Sequence, residues 1–251
     1  MSVAERAAPT EETSMSDRHS VRRVLVLAGA GGVLAAGLIG PGAASAQAAE
    51  SCSDVEVVFA RGTAEPAGLG RVGQAFVDDL RNDLGGRSIS AYAVNYPASY
   101  DFLQSAPVGA DDASAHIQAT AAACPDTSIV IGGYSQGAAA VDLITADANA
   151  AFGFGRPMPA PVADHVAAVA VFGNPSNKIG RPLTAFSPLY GAKTIDLCNG
   201  ADPVCSTGDD RPAHSQYVQT GLTQQAADFV AAKIPAHRSA EAVNQLSGSI
   251  G

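Results

Sequence analysis

The chain has no Cys-x-x-Cys pair, no surplus of basic residues and no apolar run of bilayer-spanning length, and each absence removes a class of protein. Its four cysteines, Cys52, Cys124, Cys198 and Cys205, have neither the mutual spacing nor a histidine partner that a zinc site needs. Lys and Arg together number 15 against 24 Asp and Glu. A basic footprint for nucleic acid is therefore missing, and the net charge of −9 reads as the solubility of an exported surface. The longest apolar stretch, Val24 to Ile39, has 16 residues, whereas a membrane-spanning helix takes about 20. No internal repeat is present.

That stretch instead reads as an export signal over residues 1–46. Arg22-Arg23 precedes it, and Gly40-Pro41-Gly42 and then Ala44-Ser45-Ala46, an A-x-A cleavage pattern, follow it. The paired arginines suggest the twin-arginine route, with the general secretory route as the alternative, and Met15 would give a more ordinary start than the acidic residues before it. Four acidic and four basic residues lie in 1–46, so the mature part keeps 20 acids and 11 bases. An even cysteine count in an exported chain implies two disulfides with three possible pairings, of which Cys198 with Cys205 would close a short loop. The expected location is extracellular or in the cell envelope.

Residues 47–236 suit one domain, and 237–251 read as a mobile polar tail. Short apolar or β-branched runs at Val55–Ala60, Ser88–Val94, Ser128–Gly133, Val166–Phe172 and Thr194–Leu197 predict five buried strands. Helical lengths lie between or after them at Gly73–Leu84, Ala110–Ala123, Gln136–Ala150 and Thr223–Ile234, and Arg156–Pro161 reads as a connecting loop. The alternation predicts a three-layer α/β/α sandwich on a parallel sheet. Gly68-Leu-Gly70-Arg-Val-Gly73 fits a dinucleotide fingerprint, but no ribose-binding acid stands where the second strand ends at Val94-Asn95-Tyr96; a flexible loop is the better reading.

The chemistry points to Gly133-Tyr134-Ser135-Gln136-Gly137, set between the third predicted strand and a helix. Glycines at this spacing let a strand turn sharply into a helix with the serine hydroxyl exposed at the bend. Ser135 then needs a base and an orienting acid further along the chain, in the order Ser, Asp or Glu, His. His19 lies in the signal, His116 precedes the serine, and His165 has only Asp142, Asp147 and Asp164 before it. Of the two realistic bases left, His237 sits in the polar tail, where nothing would hold an imidazole in place, so His214, in a loop just before the last helix, is the one favoured. Asp202, inside Cys198-Asn-Gly-Ala-Asp-Pro-Val-Cys205, is the acid expected, with Asp196 as its rival and Asp209 and Asp210 read as solvated charges. The N–H of Gln136 would supply one oxyanion donor at a helix start, and Thr63 in Arg61-Gly-Thr-Ala-Glu65 a second, a plain turn being the other reading of that Gly-Thr pair. Tyr96-Pro97 and Tyr100 to Leu103 are candidates to line an acyl groove.

These motifs together resemble the cutinase family of serine esterases over nearly all of residues 52–234: Gly133 to Gly137, Arg61 to Glu65, Cys124-Pro125, the loop around Asp202, and His214 followed by Tyr217. The resemblance implies Ser135 as nucleophile, His214 as base, Asp202 as its partner, and Thr63 with Gln136 as the oxyanion hole. It also implies disulfides Cys52–Cys124 and Cys198–Cys205, a lidless α/β-hydrolase-like fold with a central five-stranded parallel sheet, and no cofactor or metal. Fungal members often carry serine where Thr63 stands. The alanine-rich chain and its export signal look more like the bacterial cutinase-like group, for which short- to medium-chain acyl esters, lipids or polyesters such as cutin are the implied substrates. Acetylxylan esterases share much of the frame, and a monomer is the default. A non-catalytic binding protein on the same fold is the alternative from another class, although such a protein would have no use for all three residues in this order.

Overall fold

A computed structural model of the chain describes residues 52–147 and 155–235. The expected export signal and tail, with His19 and His237, and the far end of the predicted third helix lie outside the described residues. Five strands form one parallel sheet: β1 (Val55–Ala60), β2 (Ile89–Ala93), β3 (Ser128–Tyr134), β4 (Val166–Phe172) and β5 (Thr194–Leu197). Their order is β2-β1-β3-β4-β5, with Val57 opposite both Ala91 and Val130 in register.

Alternation along each strand feeds two cores, as a sheet covered on both faces requires. Val57, Phe59, Val130 and Ala170 face helices α1 (Gly70–Asp83) and α6 (Leu222–Ala231). Val58, Ile131, Val169 and Val171 face α2 (Phe102–Ala123) and α3 (Gln136–Thr145). Short helices α4 (Pro175–Lys178) and α5 (Leu183–Phe186) lie on the path from β4 to β5. The connection from β1 goes to one neighbour and β3 lies on the other side, so the winding reverses between β1 and β3. A crevice opens at such a switch point, beyond the carboxyl ends of the strands. Those two strand ends lead into Arg61–Glu65 and Ser135 respectively.

Several expectations need correction. The glycine run is no flexible loop: Gly70 opens α1, and Gly73 lies inside it, where an added Cβ would sit 2.4 Å from the Phe59 ring. Its role is to let the helix approach the sheet. Helix α2 begins at Phe102 rather than Ala110, because Pro107 and the exposed Phe102, Leu103 and Val108 disguise its first turns. Helix α3 ends at Thr145, where Ala146 turns to an extended backbone. Part of the Pro-rich connector is a 3₁₀ turn, Ala160–His165.

Behind the sheet's carboxyl end, two acids share one buried polar cluster. The Asn174 amide donates to Asp142 Oδ1 at 3.1 Å and to Asp196 Oδ2 at 3.2 Å, and the Ser176 hydroxyl donates to Asp142. Burial pushes the Asp142 carboxyl up to about 8, with neighbouring Asp196 adding to the rise and the Ser176 and Asn174 bonds opposing it. Folded Asp142 therefore holds a proton that the unfolded chain releases near pH 4. Between about pH 4 and 8 the native state binds more protons, so this group's contribution to stability falls as pH rises. In urea melts, Asp142→Asn should gain on the wild type steadily from pH 4 to 8; a stability difference independent of pH would refute the neutral acid.

Candidate active site

Ser135 stands at the junction of β3 and α3 with φ 56° and ψ −115°, a conformation that costs a non-glycine residue about 1–3 kcal/mol. The junction is held from both sides. Its N–H donates to the Phe172 carbonyl of β4 at 2.9 Å, and its own carbonyl accepts from Ala139 at 3.1 Å. The flanking glycines make the bend possible: a Cβ on Gly133 would come within 2.4 Å of the Gly137 carbonyl oxygen. On this strained turn Ser135 is half-buried.

His214 lies in a 3₁₀ turn, Arg211–Ser215, whose start is capped by Asp210 accepting from the Ala213 N–H. Its Nε2 is 2.9 Å from Ser135 Oγ and its Nδ1 is 2.7 Å from Asp202 Oδ2. Asp202 is 0% exposed, the histidine side chain 23%. Besides His214, the carboxylate has two further partners among the described residues: Tyr217 donates its hydroxyl to Oδ2 at 2.7 Å and the Val204 N–H donates to Oδ1 at 2.8 Å. An acceptor-only carboxylate fixes the tautomer, with the proton on Nδ1 and a free lone pair on Nε2 facing the serine. Burial, reinforced by the bond to Asp202, pushes the Tyr217 phenol well above its ordinary value, so it remains a donor. Tyr134, pushed up to about 12 by burial, donates to the His214 carbonyl and stacks on its ring at 5.0 Å.

The loop carrying Asp202 is closed by the Cys198–Cys205 disulfide, Cα atoms 5.7 Å apart, and Cys52–Cys124 spans 5.6 Å at the far end of β1. The rival acid Asp196 is tied into the polar cluster by Asn174, Asn177 and the Leu183 N–H. His116 pairs with Glu56 and His165 faces the Pro125 carbonyl, so neither meets the serine. Asp209 and Asp210 are exposed, as expected of solvated charges.

Thr63 is half-buried in the loop leaving β1, and Gln136 is the first residue of α3, where its N–H has no carbonyl within the helix to bond. The Gln136 side chain is locked: Nε2 donates to the Ser99 carbonyl at 2.8 Å, and Oε1 accepts from the Ser105 hydroxyl at 2.9 Å. Of the groove candidates, Tyr96 is buried and donates its hydroxyl to the Arg61 carbonyl, so it is framework. Tyr100 (76% exposed) and Leu103 (77%) stand free at the start of α2, with Phe102 between them. Sequence reasoning missed the Tyr217–Asp202 and Tyr134–His214 bonds. The available signal was a hydroxyl-bearing aromatic three residues beyond the histidine and another within the glycine-serine motif.

A five-stranded parallel sheet covered on both faces, with this constellation at its switch point, defines an α/β-hydrolase fold. The chain belongs to the cutinase family, whose sequence profile matches residues 51–234. It is 52% identical over 215 residues to phospholipase Culp4 of Mycobacterium tuberculosis, covering 86% of this chain and 93% of that protein. Identity to carboxylesterase Culp1 of the same organism is 53% over 200 residues, covering 77% and 88%. Among solved structures, a Trichoderma reesei cutinase bound to a phosphonate inhibitor superposes with a TM-score of 0.60 at 34% identity, covering 73% of this chain and 78% of that one. The protein is a carboxylic ester hydrolase.

Proposed function

We propose that Ser135, His214 and Asp202 form the catalytic triad of an exported serine esterase acting on short- to medium-chain acyl esters and lipids. The observation that carries this reading is the unbroken hydrogen-bond chain from buried Asp202 through His214 to a serine on a strained strand-to-helix turn. His214 Nε2 takes the serine proton as Oγ attacks the ester carbonyl, and the resulting imidazolium faces the Asp202 carboxylate. The Thr63 and Gln136 N–H groups receive the oxyanion. The imidazolium returns its proton to the departing alkoxide, leaving an acyl-serine. Water, deprotonated by the same histidine, then releases the acid and restores Ser135. No step calls on a metal or organic cofactor.

Lipid substrates are supported by the phospholipase relative and by the apolar Tyr100, Phe102 and Leu103 beside Ser99, whose carbonyl holds Gln136. An acyl chain laid over that exposed edge would sit next to the oxyanion donors. Export is supported by the signal-like sequence of residues 1–46 and by the two disulfides, a bond that persists in oxidising compartments.

The test is hydrolysis of p-nitrophenyl esters from acetate to palmitate, with a p-nitrophenyl phosphonate added to trap the nucleophile. An optimum at butyrate to octanoate and one phosphonate per chain, located on Ser135 by peptide mass, is the expected result. An optimum at acetate would point to a deacetylase instead, and a phosphonate on any other residue would overturn the assignment.

A further inference from the structure

Arg61 and Glu65 flank Thr63 in the loop leaving β1, and neither belongs to the proton chain. Arg61 is 5% exposed, a position in which a guanidinium ordinarily pairs with a carboxylate. Here its bonds go to main-chain carbonyls on two loops. Nε donates to Glu65 O at 2.8 Å within its own loop, and Nη2 donates to Tyr96 O at 2.8 Å across the gap, with longer contacts to Val94 O and Pro97 O at 3.4 and 3.5 Å. The Glu65 carboxylate turns inward, accepting from the N–H groups of Gly62 at 2.7 Å and Arg71 at 2.9 Å.

The second loop leads directly to the other donor. The Ala98 carbonyl accepts from the Ala64 N–H at 2.7 Å, the next residue's carbonyl holds the Gln136 side chain, and the Ser99 N–H reaches Ser105, which holds the other end of that amide. Ala64 and Ala98 are both at positive φ, 60° and 49°, so the two loops meet through strained backbone that only outside bonds can keep in place. The Tyr96 ring lies 5.0 Å from the guanidinium and its hydroxyl closes the circuit on the Arg61 carbonyl.

We propose that Arg61 is a positioning residue whose guanidinium fork, by clamping segment 94–99 against loop 61–65, sets the separation between the Thr63 and Gln136 donors. The proposal rests on the serine-esterase reading and on those two residues as the oxyanion hole. Arg61 itself touches no substrate. Lysine would keep the charge, but one ammonium cannot reproduce a rigid fork that reaches carbonyls on both loops.

Arg61→Lys should therefore lose about 10- to 100-fold in kcat at unchanged KM, the scale of a displaced oxyanion donor. Affinity for an alkyl boronic acid, which mimics the tetrahedral state, should fall in parallel. The acid limb of the kcat/KM profile should stay at the wild-type pH, because Asp202, His214 and Tyr217 are bonded elsewhere. Tyr96→Phe, which removes one bond at nearly constant volume, should show a smaller loss of the same kind even if Arg61→Lys folds poorly. Arg156→Ala, at a surface pair with Asp111, serves as the unaffected control. Wild-type kcat in a folded Arg61→Lys, or in Tyr96→Phe where Arg61→Lys does not fold, would overturn the proposal, as would losses that vanish on cooling to a fully folded state or a displaced acid limb. Failure of the underlying reading is told apart because the phosphonate would then label a residue other than Ser135, whatever the Arg61 and Tyr96 variants do.

Discussion

Ser135→Ala is expected to lower kcat by about 10⁴- to 10⁶-fold while leaving the fold as it is. The change removes only Oγ; alanine keeps the Cβ that already tolerates φ 56°, and the N–H bond to Phe172 belongs to the backbone. A fall in activity is thus chemical in origin and not a loss of folded protein. His214→Ala should cost a similar factor, since an alkoxide cannot form at neutral pH without Nε2 to take the proton. The double variant should be scarcely worse than either single one, because a nucleophile without its base and a base without its nucleophile fail at the same step. Turnover by the serine variant above about one hundredth of wild type would remove Ser135 from the mechanism. Additive losses in the double variant would show that the two side chains act separately, contrary to their 2.9 Å contact.

The strands were legible because a parallel sheet buried on both faces writes its strands as continuous apolar runs. Val55–Ala60, Val166–Phe172 and Thr194–Leu197 stand where those runs predict them, β3 runs one residue further, to Tyr134, and β2 is one residue shorter at each end. The start of α2 was not legible: a proline in its second turn and three exposed apolar side chains mimic a loop. Ser135, Asp202 and His214 could be singled out from chain order and now stand in hydrogen-bond contact. What holds them was hidden. The Arg61 bond to Tyr96, the Tyr217 hydroxyl on Asp202 and the Asn174 bridge between Asp142 and Asp196 join residues 15 to 35 positions apart, with no periodicity to announce them. Polar residues that are buried by tertiary packing look in sequence like any solvated charge or amide.

Gly137→Ala is expected to be the most damaging substitution outside the proposed triad. An added Cβ would lie 1.9 Å from the Ala60 carbonyl oxygen, 2.5 Å from its carbon and 2.6 Å from the Arg61 oxygen. All three atoms are main chain, so no rotamer change relieves the clash. Nor can the strand retreat, because β1 is paired on both sides, with Phe59 opposite Ala93 and Gly132. Relief has to come from tilting α3, and with it the Ser135 turn and the Gln136 N–H. Overpacking of this kind costs about 3 kcal/mol or more, which in a domain of this size lowers Tm by roughly 10 °C. Gly180→Ala is the comparison: its φ is +70° but nothing lies within 4 Å of the added atom, so only a backbone cost of about 1–2 kcal/mol remains. In thermal melts Gly137→Ala should fall well below Gly180→Ala, and the fraction that still folds should hydrolyse esters poorly while Gly180→Ala does so normally. Equal melting temperatures would mean that α3 can shift away from β1 at little cost, and the second glycine of the motif would then be there for the turn alone and not for the approach of the helix to the strand.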